Sequence, residues 1–369
     1  MFDDDLILRP LHRADPTSLG PYQLLGRIGA GGMGRIYLAN RDGTEGLYAV
    51  KTLLVEGLTT DADRDRFARE VKVARRAAGP QTARVFDADP HASLPWLATE
   101  YVAAPSLGDL VTRCGTAHPT AAARILADCA VALEALHSTG VIHRDLKPHN
   151  ILLTSQGIRL IDFGISHASD LTRTRVTLGT VAYIAPEQAR GEPATAACDI
   201  WALGATLSTL ATGHPPYPDT GDPVRLLALV SRATVDLSDL PAPLRPLAEA
   251  CLTPDAADRP TLTELRVLAE DCKIAHRPFR TDAVEPPDSW IALISDYEIE
   301  GEQLKEEYAP GPPAHGLERT RRIAGLTPKG WKAAGSLIFN FSALIFLGTA
   351  GLLALIIVIA VVVITLLPY

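Results

Sequence analysis

A short stretch in the middle of the chain gathers the residue types that hold a hard cation and move a proton. Asp145 and Asn150 stand at one end of two apolar runs, Ile151–Leu153 and Ile158–Ile161, and Asp162 stands at the other end. The runs flank a turn at Ser155-Gln156-Gly157, so the segment reads as a hairpin. A folded hairpin brings such ends together. Two carboxylates and a carboxamide at its mouth make a hard-oxygen site suited to Mg²⁺.

Other elements must position partners for that site. Gly29-Ala30-Gly31-Gly32-Met33-Gly34 follows an apolar run from Tyr22. In a dinucleotide-binding fold such glycines open a helix. Here Arg35-Ile36-Tyr37-Leu38-Ala39 follows, with a turn at Asn40–Gly43, so the context is strand–loop–strand. Glycines let backbone N–H groups approach an anion without Cβ clashes. Lys51 closes the short strand Leu47–Val50. Asp61 to Arg76 reads as a helix with acidic residues at its start and basic ones at its end, as the helix dipole favours. Phe67, Val71 and Ala74 share one face, and Glu70 sits beside that stripe, placed to turn inward and pair with Lys51. Pro119 to His137 reads as an amphipathic helix, with Ile125, Cys129, Leu133 and Leu136 as its stripe and Gly140 to end it.

The run His143-Arg144-Asp145-Leu146-Lys147-Pro148-His149-Asn150 resembles the catalytic loop of protein kinases. Asp162-Phe163-Gly164, twelve residues after Asn150, resembles their metal-binding triplet. The resemblance spans Tyr22 to Lys273. It implies an α+β, two-lobed kinase fold, with a β-rich N-lobe over 22–102 and a helical C-lobe over 103–273. It implies ATP and Mg²⁺ as cofactors and proteins as substrates. By that resemblance Asp145 orients the substrate hydroxyl and accepts its proton, and Lys147 sits near the γ-phosphate. Asn150 and Asp162 hold Mg²⁺, and Lys51, oriented by Glu70, holds the α- and β-phosphates. The glycine-rich loop, Gly29 to Gly34, lies over the phosphates. Ile28, Ile36, Ala49 and Leu152 sandwich the adenine, the Glu100 carbonyl and Val102 amide hold it, and Thr99 stands at the back of the pocket. Ala185-Pro186-Glu187 closes an activation segment containing Thr172, Thr174, Thr177 and Thr180. Asp199 resembles the aspartate that braces the catalytic loop, and Arg259 the arginine that pairs with Glu187. One departure stands out. Gly79-Pro80-Gln81-Thr82-Ala83 replaces the family's His-Pro-Asn-Ile, which leaves the helix-to-strand connection open.

The totals bound the rest. A chain of 369 residues holds one large domain or two ordinary ones, plus extras. Its net charge of −8 argues against a nucleic-acid partner. The five cysteines lie far apart without a Cys-x-x-Cys, which fits reduced, mostly buried thiols. Residues 1–21 form a polar N-terminal tail with no basic, apolar leader pattern. Residues 274–336 read as an acidic, proline-rich linker and a basic juxtamembrane segment. Thr281 to Pro313 holds nine acidic residues and one base, Lys305. Ile291, Leu293, Ile294 and Tyr297 offer the alternative of a short helix docked on the kinase domain. Residues 337–367 read as a transmembrane region with a core span over 343–367, about 25 apolar or small residues. Arg319, Arg321, Arg322, Lys329 and Lys332 precede it, which places the kinase on the cytoplasmic side of a cell membrane.

The expected function is Ser/Thr phosphotransfer at a membrane, with autophosphorylation and self-association between copies. Lys147, two places after Asp145, follows the family's Ser/Thr pattern, and the whole resembles bacterial membrane-anchored Ser/Thr kinases. A pseudokinase scaffold is the rival reading, but such proteins lose one of the lysine, the catalytic aspartate or the metal aspartate, and all three types are present. A channel is a poorer rival, because the single span carries no charged residue.

Overall fold

The computed structural model describes residues 8–31, 34–53, 61–77, 79–163, 178–275 and 286–308. Its first part is one antiparallel sheet of β1 (Ser18–Leu19), β2 (Tyr22–Gly31), β3 (Gly34–Arg41), β4 (Tyr48–Leu53), β5 (Val85–Asp89) and β6 (Trp96–Glu100), in the order β1-β2-β3-β4-β6-β5. Strand alternation gives the sheet two faces. Tyr37, Ala39, Tyr48, Val50, Trp96 and Ala98 cluster on one, where Tyr22 meets Tyr48 and Trp96 edge to face at 5.0 and 5.5 Å. The register pairs Ile36 with Lys51, Leu38 with Ala49, and Ala49 with Thr99, so these residues share the opposite face. Helix α1 (Asp61–Ala74) packs on that second face through Phe67 and Val71 against Leu97.

The larger part is helical. It is built from α2 (Leu107–Cys114), α3 (Pro119–Ser138), α4 (Leu178–Val181), α5 (Pro186–Ala189), α6 (Ala197–Thr212), α7 (Pro223–Ser231), α8 (Arg245–Cys251) and α9 (Leu262–Ala275). The α3 stripe of Ile125, Cys129, Leu133 and Leu136 is buried, together with Trp201 and Leu207 of α6 and Leu265 and Ala269 of α9. Ser106 and Asp109 close a reciprocal capping box that starts α2, and Pro119 occupies the first turn of α3. A two-stranded sheet, β7 (Ile151–Thr154) with β8 (Gly157–Leu160), sits between the two parts in the register Ile151↔Leu160. The divergent segment after α1 docks on it. Thr82 bridges to Leu160 in parallel, and Thr82 Oγ1 donates to Ala77 O, closing the turn.

Two expectations need correction. Residues 8–21 are not a free tail. Arg9 exchanges backbone hydrogen bonds with Arg27 at 2.8 and 2.7 Å, and β1 adds to the sheet. The buried Asp15 carboxylate pairs with Arg27 and Arg35 and accepts from the Tyr37 hydroxyl at 2.9 Å. Nor is the whole acidic stretch a linker. Asp288–Tyr308 forms α10, which packs on the domain through Trp290, Leu293, Ile294, Gly301 and Leu304. These positions recur at helical spacing, and the acidic residues lie between them, which hid the stripe in the composition. Ile291, counted with the docking residues, is exposed instead. Residues 309–369, including the expected juxtamembrane segment and membrane span, lie outside the described residues. Among the described residues no helix is long and apolar enough to cross a membrane.

Candidate active site

The site is assembled around the loop between α3 and β7. Its backbone does not hold itself, because Arg144 sits at φ 67°, a left-handed conformation that costs a non-glycine residue about 1–2 kcal/mol. Asp199, buried in the first turn of α6, anchors it. One carboxylate oxygen accepts from His143 N at 2.8 Å and from His137 Nε2 at 2.7 Å, and the other accepts from Arg144 N at 2.9 Å. Burial alone would raise the Asp199 pKa. The His137 hydrogen bond, the nearby imidazoles and the His143 amide outweigh it and hold the carboxyl below its usual range.

This anchoring presents Asp145. Lys147 Nζ donates to both of its carboxylate oxygens, at 3.1 and 3.0 Å, and also to Thr180 Oγ1 at 3.2 Å. Asn150 Nδ2 donates to Asp145 O at 2.7 Å and to Asp145 Oδ2 at 3.0 Å. Those bonds fix the carboxamide and leave its oxygen as the free acceptor. Ile161 N donates to Asn150 O at 3.0 Å, so the hairpin closes with Asp162 next to Asn150 in space. Asp162 takes a left-handed φ of 59°, and Lys51 Nζ reaches across from β4 to its Oδ2 at 2.8 Å. Burial opposes charge on both groups. Their mutual attraction is stronger, so the Lys51 pKa is raised and the Asp162 pKa is lowered. An uncharged amide oxygen beside an ionised carboxylate is a donor set that fits Mg²⁺, which keeps several waters and shares phosphate oxygens.

Above this floor, Ile28, Ile36, Ala49, Thr99, Glu100, Val102 and Leu152 are all half-buried, as residues bordering a cleft are. Thr99 Oγ1 donates to Ala49 O at 3.4 Å. The Glu100 side chain is turned outward onto Arg159 Nη2 at 2.5 Å. Leu152 is tied to the strand connection by a bridge to Ser106. Within the β2–β3 ribbon Gly29 pairs with Ile36 and Gly31 with Gly34, while Gly32, Met33 and the Ala30 side chain lie outside the described residues. The Glu70 side chain also lies outside them, so the expected Glu70–Lys51 pair is not described; among the described residues Lys51 pairs with Asp162. Thr172, Thr174 and Thr177 fall in the undescribed segment 164–177.

The comparisons with known proteins fit this geometry. The family model described as protein kinase domain matches residues 22–268. The chain belongs to the protein kinase family. Among its relatives, the serine/threonine-protein kinase AfsK of Streptomyces coelicolor is 45% identical over 260 residues, covering 69% of this chain and 32% of that protein. The probable serine/threonine-protein kinase PkwA of Thermomonospora curvata is 41% identical over 263 residues, covering 70% and 35%. The crystal structure of the Mycobacterium tuberculosis PknI kinase domain superposes with a TM-score of 0.55 at 28% identity, covering 71% of this chain and all of that one. The match therefore spans about a third of the length of these curated relatives.

Three supporting residues of this kinase were not singled out from the sequence. His137 was read only as a helix end, yet it bonds Asp199. Gln188 Nε2 donates to Arg144 O at 3.1 Å and its Oε1 accepts from Ala185 N at 3.0 Å, linking the activation-segment end to the catalytic loop. Asp15, which precedes the family match, pairs with Arg27 and Arg35 inside it. The Gln188 bond to Ala185 N has the i to i+3 spacing of a helix cap, but its bond to Arg144 O and the roles of His137 and Asp15 join residues separated in the chain and carry no spacing signal. The pair expected between Glu187 and Arg259 is bidentate, at 2.7 and 2.8 Å, with Arg259 also stacked over Trp201.

Proposed function

We propose that this kinase transfers the γ-phosphoryl group of ATP to Ser or Thr hydroxyls of proteins, itself included. The observation that carries the reading is the Asp145 carboxylate, oriented by Asn150 Nδ2 and held beside Lys147 Nζ, with Thr180 on the same lysine. Asp145 is positioned to align a substrate hydroxyl and take its proton. Lys147 neutralises charge that builds on the transferring group, and Lys51 holds the phosphates from the opposite side. Mg²⁺ bound through Asn150 and Asp162 would supply charge neutralisation across the phosphates. A cleft of about 810 Å³ opens beside Lys147 and Thr180, lined also by His149, Tyr183, His214 and Asp219, and gives an extended peptide room to reach Asp145. The Ser/Thr preference is supported by Lys147 and by the names of the relatives. The chain retains Lys51, Asp145 and Asp162, so nothing favours a scaffold without catalysis.

Two finer points belong to the same reading. Phosphate on Thr172, Thr174 or Thr177 switches the enzyme, because a phosphothreonine carries about −1.5 to −2 charges and can order a loop by pairing with an arginine such as Arg144. Residues 343–367 anchor the kinase to a membrane with its catalytic domain on the cytoplasmic side, a reading that rests on the apolar run and the basic cluster Arg319–Lys332. The test of the activity is incubation of the full chain with labelled ATP, Mg²⁺ and a protein substrate. Label should enter the substrate and the chain itself, on Ser or Thr. Equal labelling by the Lys51→Met variant would refute the assignment.

A further inference from the structure

Helix α10 lies beyond residue 268, where the family match ends, yet it touches both lobes of the kinase. Its N-terminal end is fixed in the helical lobe. Trp290 is fully buried, its indole Nε1 donates to Gly115 O at 3.1 Å, and Leu293 and Ile294 join the same core. Midway, Glu298 Oε1 accepts from Ser155 N at 2.9 Å, at the turn of the β7–β8 hairpin. One turn on, Gly301 lies directly against Ala103 in the segment joining the lobes. A Cβ at position 301 would stand 2.2 Å from the Ala103 Cβ, so no other residue fits without moving the hinge. At the far end, Leu304 is buried with Leu38 of β3 and Leu47, which leads into β4, and Tyr308, Ile28, Leu25 and Tyr101 pack around them.

The face that Leu304 covers is informative. Leu38 pairs with Ala49, and Ile36 with Lys51, so Leu38 lies on the cleft face of the sheet beside the nucleotide positions. Ile28, expected above the adenine, packs in the Leu304 cluster too. From Trp290 to Leu304 the helix runs about 21 Å at 1.5 Å per residue. A rigid rod thus begins in one lobe, presses on the hinge and ends against the roof of the nucleotide site. Rotation of the sheet about residues 101–106 must break the Leu304 contact or drag the helix out of its Trp290 socket.

We propose that α10 is a brace across the hinge and that Gly301 and Leu304 are positioning residues for ATP. The brace holds Ile28 and the sheet above Leu152 at the spacing a nucleotide needs, so ATP affinity is set partly from outside the family-matched domain. This rests on the kinase reading above.

The test uses the full chain in detergent, with a fluorescent ATP analogue and Mg²⁺, and compares Leu304→Ala, Gly301→Leu and Glu298→Ala with the unaltered protein. Each variant is first checked for a cooperative thermal transition. If the brace keeps most molecules binding-competent and Leu304→Ala leaves about a tenth so, the apparent Kd rises about tenfold. The KM for ATP should rise with it while kcat at saturating ATP stays within about twofold, and Leu304→Met should restore affinity. Glu298→Ala, a surface change that leaves the core intact, should weaken binding by a smaller factor. An unchanged Kd in folded Leu304→Ala and Glu298→Ala overturns the brace, as does a fall in kcat with Kd unaltered. Failure of the unaltered chain to bind the analogue would instead overturn the kinase reading, and the brace with it.

Discussion

Asp199→Asn changes one atom in the support of the catalytic loop and should be costly. The carboxylate accepts three hydrogen bonds from nitrogen, from His143 N, Arg144 N and His137 Nε2, and a longer one from Cys198 Sγ at 3.6 Å. An asparagine offers one oxygen and turns an NH₂ towards a donor on the other side. The variant loses at least one charge-assisted bond, about 1.5–3 kcal/mol, and leaves a buried N–H unpaired at about 1–3 kcal/mol more. The sum is about 2.5–6 kcal/mol, and at about 2–4 °C per kcal/mol for a domain of this size the thermal midpoint should fall by on the order of 10 °C. Arg144, at φ 67°, then loses part of what holds it in a strained conformation, and Asp145 follows it in the chain. A displacement of about 1 Å at a catalytic group costs about 10²-fold in rate. The assay is a thermal melt and a saturating-ATP turnover measurement on the full chain in detergent. The pH dependence has a fixed sign. Because the folded-state pKa of Asp199 is depressed, its contribution is present above the ordinary carboxylate range and is lost as pH falls through the folded value. The gap between the unaltered protein and the variant should therefore close below about pH 4. A variant with the same midpoint and turnover at neutral pH would refute the anchoring role.

Arg259→Leu leaves Glu187 buried without its bidentate partner and should cost about 3–5 kcal/mol, read as a lower urea midpoint. Adding Glu187→Leu should recover part of that loss. Asp15→Asn should lower stability by about 1.5–3 kcal/mol, through the weakened bond to Arg27. The Arg27 guanidinium holds the Asp15 carboxyl far below the usual range, so this contribution too is lost only at acid pH. Proteolysis of the unaltered chain should spare residues 8–21 and expose them in the variant. For the membrane reading, the chain should resist carbonate extraction and a C-terminal tag should lie outside sealed cells. A tag that remains inside would sink it.

The chemistry was written locally. Asp145, Lys147 and Asn150 lie within six positions, and the hairpin that carries Asp162 back beside them is specified by two apolar runs and a short turn. Short-range patterns of this kind depend on backbone preference and alternation, which a sequence displays directly. The strand–loop–strand context of the glycine-rich loop and the stripe of α3 belong to the same class. The chain's two flanks were not legible in this way. Residues 8–21 look polar because Asp15 is charged, and only the folded sheet brings Arg27 and Arg35 to it. Asp288–Tyr308 looks like a solvated acidic linker because eight of its 21 residues are charged and seven of those are acidic. What matters is where Trp290, Gly301 and Leu304 project, and whether a socket, a hinge and a sheet face stand opposite them. Asp199 shows the same division. Its type and place could be read, but its three nitrogen donors arrive from α3 and the catalytic loop, more than fifty residues away in the chain. Local order is set by each residue's own neighbours in sequence, whereas burial and pairing across the molecule are set by what the rest of the chain places there.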